Sequence, residues 1–439
     1  MTSIRSIAAF LVVASGLGAA PAALLFRHAI LVDPARNLAQ PGMAILVEGD
    51  RIMKIGPDAD LAPGLAKVVD LRGAYVIPGL IDTHVHLGTE PNLSQAKAHL
   101  RLLGMGGVVA VRDMAGDCRF LADLRRQVLV GEVQGPRVFY SALMAGPAFF
   151  ADARTKASTL GEVPGKVAWM QGITKDTDLV QAVAQARGTY ASGIKLYANL
   201  DADLTARIVA EARRQNFPVW SHGALFPAKP SDVVRTGLTS ISHASMIVYE
   251  VATMPEARRE QRPEADYAVP LDHPAFLAVL RLMKEKEVAL DATLSVFRRV
   301  GETNPGKLEK ARKEYAFGVG ITRLAHRMGV RVTTGTDWVG RAAKRIPAVW
   351  EELITLQDEA GFTPAEALAA GTLEGARLLG LSAEDGELAA GRRADFAVLR
   401  EDPLKDVKAV RSLRLTVIGG RILDRSTYRP DPVLQKMKD

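Results

Sequence analysis

The sequence is poor in features on which several classes of protein depend. Its 439 residues include one cysteine, Cys118, so an internal disulfide and a cysteine-based zinc finger are excluded. No run rich in lysine and arginine is interleaved with aromatic residues, so the net charge of +7 gives no support for nucleic-acid binding. We find no low-complexity tract and no short-period repeat. With 48% apolar and 24% charged residues, the composition is that of an ordinary globular protein with a large core.

The N-terminus has an apolar stretch, but it is too short to cross a membrane. Residues 7–17 are apolar or small, whereas a spanning helix needs about 20 such residues. Arg5 precedes the stretch, and Ala20-Pro21-Ala22 fits the small-residue site at which a signal peptidase cuts. We therefore predict a signal peptide over residues 1–22, a secreted or periplasmic mature protein, and no membrane attachment after cleavage.

Short strands separated by turns occupy both ends of the remaining chain. Neither of these two groups of strands is large enough to bury a hydrophobic core alone. We therefore predict one small β-sandwich domain built from residues 23–73 and 381–439. Between them, over residues 74–380, apolar strands alternate with amphipathic helices. The predicted strands are residues 75–81, 107–112, 137–142, 193–197, 218–221, 239–242, 288–292 and 330–334.

Eight such β-α units predict an α/β protein with a (β/α)8 barrel of the TIM type. A doubly wound open sheet is the alternative. It is disfavoured because no G-x-G-x-x-G fingerprint follows the first strand.

Candidate metal ligands fall at the ends of the predicted strands. His84 and His86 lie two residues apart after the first strand, so they project to the same side, as two ligands of one ion must. Alone this H-x-H pair is weak evidence, since two core or exposed histidines would look the same. Strand ends converge on one mouth of a barrel, however, and four further candidates end or follow later strands. They are Lys195, His222, His243 and Asp337.

Lys195 lies within an apolar strand, where an unpaired ammonium group would be costly to bury. Either the lysine is ion-paired or reaches solvent along its aliphatic stem, or CO2 has converted it to a carbamate. A carbamate is a carboxylate and can bridge two cations.

With these candidate ligands in this order, the sequence resembles the amidohydrolase superfamily. The resemblance is to its binuclear, carboxylated-lysine members, in the secreted branch similar to imidazolonepropionases and dipeptidases. It covers nearly everything after the N-terminal segment. The matching segments are residues 78–86 (PGLIDTHVH), 104–113 (GMGGVVAVRD), 193–197 (GIKLY), 334–337 (TGTD), and 363–368 (TPAEAL) through 391–396 (GRRADF).

The resemblance implies a site with two divalent metal ions, expected to be Zn²⁺. His84, His86 and Asp337 would bind the first ion and His222 and His243 the second, with carboxylated Lys195 and a hydroxide bridging them. Attack of the hydroxide would cleave an amide C–N bond, with Asp337 as general base and then acid. Tyr197 would stabilise the oxyanion, although it could equally be a packing residue.

The expected activity is therefore that of a metal-dependent hydrolase acting on a dipeptide or an N-acyl amino acid. One alternative keeps the fold and metals but hydrolyses a cyclic amide, lactone or phosphotriester. Another is a metal-free barrel that acts only as a binding protein.

Residues 146–177 and 246–272 form long loops that we expect to cover the barrel mouth and set substrate choice, unless they form the interface of a homo-oligomer. Arg112 and Asp113, at the end of the second strand, could bind a substrate carboxylate or orient a metal ligand, but we expect an ion pair behind the metal ligands.

The signal-peptide prediction can be tested on protein recovered from a host that exports it. N-terminal sequencing should give a mature chain that begins at Ala23. Recovery of a chain that still begins at Met1 would contradict export.

Overall fold

The structure is a computed structural model that describes residues 23–253, 262–341 and 344–435. The predicted signal peptide lies outside these residues, so that prediction stands untested. Within the described residues, every helix is too short or too polar to traverse a bilayer.

Eight parallel strands form a barrel, which confirms the predicted fold class. In chain order they are Leu80–Val85, Val108–Asp113, Arg137–Ala145, Gly193–Leu196, Val219–His222, Ser240–Ser242, Ala289–Asp291 and Val332–Thr333. Each strand pairs in parallel with the next one along the chain. The first and eighth strands meet through single backbone hydrogen bonds, Thr83 N to Thr334 O (3.4 Å) and Asp337 N to His84 O (2.8 Å). The sheet is thus a nearly closed ring and not an open, doubly wound sheet.

Helices separate the barrel strands as the amphipathic pattern predicts. The α-helices are Leu93–Gly104, Cys118–Leu129, Ala153–Ala157, Leu179–Gly188, Ala202–Arg214, Pro230–Arg235, Pro274–Glu285, Leu294–Thr303, Leu308–Arg327, Ala348–Asp358, Pro364–Ala370, Leu373–Leu378 and Pro432–Gln435. Several begin at an aspartate whose carboxylate accepts a backbone N–H of the first turn, as Asp117, Asp178 and Asp201 do.

A separate mixed sheet is built from both ends of the chain. Its eight strands are Leu24–Asp33, Leu38–Glu48, Arg51–Pro57, Lys67–Asp70, Tyr75–Pro78, Phe396–Leu399, Leu413–Ile418 and Arg421–Asp424. It has its own apolar cluster, in which the Phe26 and Phe396 rings pack edge to face at 5.1 Å. Within the C-terminal part of the predicted β-sandwich domain, where the pattern also predicts a strand at residues 386–393, the structure has turns and bends, with a single bridge between Arg393 and Arg51.

The first predicted barrel strand, residues 75–81, is wrong as a single element. The structure divides it at Gly79: Tyr75–Pro78 belongs to the end sheet and Leu80–Val85 begins the barrel. Gly79 N donates to Asp395 O of the end sheet, whereas Leu80 N donates to Gly107 O of the barrel. A Cβ at Gly79 would lie 2.3 Å from Val109 Cγ1, so only glycine lets the chain cross between the two sheets here.

The loop over residues 146–177 has structure of its own. It contains a 3₁₀ turn at Pro147–Ala151, the short helix Ala153–Ala157, and the strands Lys166–Val167 and Met170–Gly172. The last of these pairs with the third barrel strand, which fixes the loop above the barrel mouth. Of the second predicted loop, residues 254–261 lie outside the described part of the chain. Two further short strands, Gly340–Arg341 and Ile346–Pro347, pair with each other after the eighth barrel strand.

Candidate metal centre

One cavity of about 350 Å³ opens at the carboxyl ends of the barrel strands. All seven side chains singled out from the sequence line it, namely His84, His86, Lys195, Tyr197, His222, His243 and Asp337. They come from the first, fourth, fifth, sixth and eighth strands or the residues just after them. Convergence of strand ends, which was the basis of the prediction, therefore brings these residues together.

Three of these residues are close enough to hold one ion. Ligand atoms of His84, His86 and Asp337 all lie within 4.8 Å of one another. Asp337 Oδ1 is 3.4 Å from His84 Nε2 and 2.9 Å from His86 Nε2. The two imidazoles thus direct the same ring nitrogen at the same carboxylate oxygen.

The other ring nitrogen of three of these histidines is held from behind by an oxygen atom. His84 Nδ1 lies 2.8 Å from Asp291 Oδ2, His86 Nδ1 lies 3.2 Å from Thr89 Oγ1, and His243 Nδ1 lies 2.8 Å from Thr293 Oγ1. Such contacts fix the orientation of the ring and leave Nε2 free as a ligand atom. Imidazole nitrogens together with a carboxylate are the donor set that Zn²⁺ and similar divalent ions prefer, so the residues present fit a metal.

His222 and His243 form a second pair beside the first group. Their ring centroids are 4.8 Å apart, and the His243 ring is 5.2 Å from that of His84. Lys195 is fully buried, and its Nζ donates a hydrogen bond of 3.0 Å to Ser242 Oγ. The two predicted ligand groups and the predicted bridging lysine therefore share one pocket.

Metal binding needs neutral imidazoles and an ionised carboxylate, and the pKa shifts of most of these groups suit it. His86 is the exception, because Asp337 outweighs burial and raises the pKa of its imidazole. Burial lowers the pKa of His243 to about 3 and that of His222 well below its usual range. Burial alone would raise the pKa of Asp337, but His84 and His86 more than offset this and hold that pKa below its ordinary value. Burial, aided by the charge of Arg112, lowers the pKa of Lys195 to about 7.

Asp291 is the important residue that sequence reasoning missed. It ends the seventh barrel strand, is fully buried, and accepts hydrogen bonds from Thr83 Oγ1 (2.8 Å) and Ser242 Oγ (3.1 Å) besides its contact with His84. Its position at a strand end was a signal that could have identified it. Burial raises the pKa of Asp291, but the hydrogen bond and charge of His84, the charge of Arg112 and the hydrogen bond from Thr83 outweigh it and hold that pKa at about 2, so the carboxylate stays charged.

Arg112 and Asp113 support the site from behind but do not pair with each other. Arg112 Nη2 lies 3.2 Å from Asp291 Oδ2, and its Nε donates to Thr83 O at 2.6 Å. The Asp113 carboxylate accepts from the backbone N–H of Leu87 and Gly88, directly after His86. The expected ion pair is therefore formed by Arg112 with Asp291.

The backbone around the site adopts conformations that non-glycine residues avoid. His243 (φ 71°), Thr293 (φ 54°) and Asp337 (φ 60°) are all left-handed. After Thr293, the buried Glu352 carboxylate accepts the backbone N–H groups of Leu294 (2.8 Å) and Ser295 (2.7 Å) and so fixes the start of that helix.

Comparisons with known proteins agree with the fold. A family model described as "Amidohydrolase family" matches residues 283–423. An adenine deaminase of Rubrobacter xylanophilus is 26% identical over 45% of this chain, but the match spans only 33% of that protein. Ochratoxinase of Aspergillus niger is 26% identical over 86% of this chain and 80% of its own length. The solved structure of a candidate prolidase from Bifidobacterium longum is 25% identical, with a TM-score of 0.71 over 94% of this chain and 96% of its own.

A substitution at Gly335 tests how tightly the buried hydrogen-bond network around Asp291 is packed. A Cβ at residue 335 would lie 1.7 Å from Asp291 Oδ1 and 2.8 Å from His84 Cβ. We expect Gly335→Ala to lower the free energy of unfolding by about 1–3 kcal/mol and to weaken metal binding, because Asp291 and His84 must move. Denaturant unfolding and metal titration measure the two effects.

The matched control is Gly188→Ala. A Cβ there meets nothing within 4 Å, and Gly188 ends a helix without a positive φ. This variant should be neutral or more stable by up to about 1 kcal/mol. Equal behaviour of the two variants would contradict the account of the network.

Proposed function

We propose that the chain is a metal-dependent hydrolase of the amidohydrolase superfamily that cleaves the amide C–N bond of a dipeptide or an N-acyl amino acid. The observation that carries the proposal is the convergence of four histidines, a lysine and an aspartate on one cavity at the barrel mouth. The proposal includes export, as the pattern of residues 1–22 predicts.

His84, His86 and Asp337 would hold one ion, and His222 and His243 the second. The cations, expected to be Zn²⁺, would lower the pKa of a bound water and polarise the amide carbonyl. Support for this assignment comes from the oxygen atoms behind three of the histidine rings, which prepare Nε2 for a metal.

Lys195 would become the bridging ligand by reaction with CO2. The neutral amine Nζ attacks the carbon of CO2, a new N–C bond forms, one proton is released, and the product is a carbamate anion. Burial favours this reaction because it disfavours the ammonium form and leaves Nζ hydrogen-bonded to the neutral Ser242 hydroxyl. The carbamate replaces a costly buried cation by an anionic ligand.

Asp337 and Tyr197 would handle the proton and the developing charge. Asp337, ionised at neutral pH, accepts a proton from the attacking water at its carboxylate and delivers it to the leaving nitrogen. The Tyr197 ring packs 4.0 Å from the ring of His222, beside a predicted metal ligand. Its hydroxyl would donate a hydrogen bond to the substrate carbonyl oxygen. Burial raises the pKa of Tyr197, which keeps that hydroxyl protonated.

The Asp337→Asn variant tests the proton-transfer role. We expect kcat for the release of amino acid from N-acyl amino acids and dipeptides to fall about 10²- to 10⁴-fold, while much of the metal remains bound. The control is Asp203→Asn, whose side chain is 82% exposed on a helix outside the site. Near wild-type turnover by Asp337→Asn would contradict the mechanism. Turnover of esters but not amides by the wild-type protein would overturn the assignment of substrate.

The Lys195→Ala variant tests the bridging ligand. Metal analysis should find about one equivalent of metal in place of two, and short carboxylic acids should partly restore activity by occupying the vacated space. Lys313→Ala, at a lysine whose side chain is 64% exposed, is the control and should keep two equivalents. A Lys195→Ala protein with the wild-type metal content would refute the bridge.

A further inference from the structure

A basic side chain outside the candidate metal centre, Arg154, lies at the rim of the same cavity. Arg154, in the short helix Ala153–Ala157 above the third barrel strand, lines the cavity together with the candidate metal ligands. Its Cζ is 5.9 Å from the Tyr197 ring centre, and that ring is 4.0 Å from the ring of His222. The guanidinium group is therefore within about 10 Å of a predicted metal ligand.

Asp152 holds the Arg154 side chain in place. Arg154 Nε and Nη2 donate to the Asp152 carboxylate at 3.1 and 2.7 Å, and the same carboxylate accepts the backbone N–H of Arg154 at 2.9 Å. This contact uses one edge of the guanidinium, and Nη1 lies on the other side. The Arg154 side chain is 59% exposed, so its pairing with Asp152 is a weak surface ion pair that leaves it able to bind an anion.

The rest of the cavity wall makes this cation distinctive. Among the described residues that line the cavity, Arg154 carries a permanent positive charge, whereas Lys195 is buried within its barrel strand and, in the proposed function, becomes an anionic carbamate. Apolar side chains form part of the remaining wall, among them Met114, Leu143 and Met170. A substrate with one anionic group and an apolar side chain matches this combination.

We propose that Arg154 binds the free α-carboxylate of the amino acid that leaves when the substrate is hydrolysed. This inference rests on the proposed function and adds a substrate class to it, namely amides whose leaving amino acid has a free carboxylate and an apolar side chain. One amino acid spans about 3.5 Å of backbone. With hydrogen bonds of about 3 Å at both ends, such an amino acid fits within the upper limit of about 10 Å between the Arg154 guanidinium and the His222 ring.

The first experiment measures binding of a product that cannot be hydrolysed. Calorimetric titration of the intact, metal-loaded protein with L-leucine and with L-leucinamide compares ligands that differ at the carboxylate. The wild-type protein should prefer leucine, and Arg154→Met should weaken leucine binding about 10- to 100-fold. Arg154→Lys, which keeps the charge but not the planar fork, should recover part of the loss.

The control is Lys156→Met, on the same short helix. Lys156 is exposed and does not line the cavity, so removal of its charge should leave leucine binding unchanged. Equal losses in the two variants would show a general effect of charge and overturn the proposal.

The second experiment measures deacetylation of N-acetyl-L-leucine and N-acetyl-L-leucinamide. The ratio of kcat/KM for acid over amide should fall about 10- to 100-fold in Arg154→Met, mainly through KM for the acid. An unchanged ratio in an active enzyme overturns the role of Arg154 and leaves the proposed function standing. Leucine binding that depends on Arg154, in a protein that cleaves neither compound, supports the carboxylate site and overturns the proposed function.

Discussion

The architecture of the site depends on the buried carboxylate of Asp291. Asp291 lies on the seventh barrel strand, and its carboxylate makes polar contacts with side chains on four other barrel strands. They are His84 and Thr83 of the first strand, Arg112 of the second, Ser242 of the sixth and, at 3.4 Å, Thr333 of the eighth. A buried charge is tolerated only when it is paired and hydrogen-bonded, and removal of one partner of such a group costs about 3–5 kcal/mol. The network also joins the first and eighth strands, where the barrel has few backbone hydrogen bonds. One carboxylate thus helps close the barrel and orients a predicted metal ligand.

The site has two layers with different functions. The strand ends supply the candidate metal ligands, which rigid parallel strands hold in place. The segment after the third strand supplies Arg154 at the rim, together with Phe149, whose ring is 4.5 Å from that of Tyr197. In the proposed function, reaction chemistry and substrate choice therefore belong to separate parts of the chain, which is how barrels of one fold serve many substrates.

Sequence patterns were sufficient for the barrel and for the candidate ligands because both depend on a regular rule. Strands alternate with helices, and strand ends meet, so His222 and His243 could be grouped with His84 without knowledge of the structure. The division at Gly79 was missed because both halves are apolar, and only the close approach of Val109 reveals the crossing. Asp291 was missed because its partners lie on four different strands. The place of Arg154 depends on loop geometry, which has no periodic signal.

The central claim is that six side chains bind two cations with a carboxylated lysine between them. Anomalous diffraction from crystals of the zinc-loaded protein, grown with bicarbonate and recorded on either side of the zinc edge, tests it most directly. The account predicts two peaks about 3.5–4 Å apart, with planar density that continues beyond Lys195 Nζ. A single peak, or density that stops at Nζ, would contradict it.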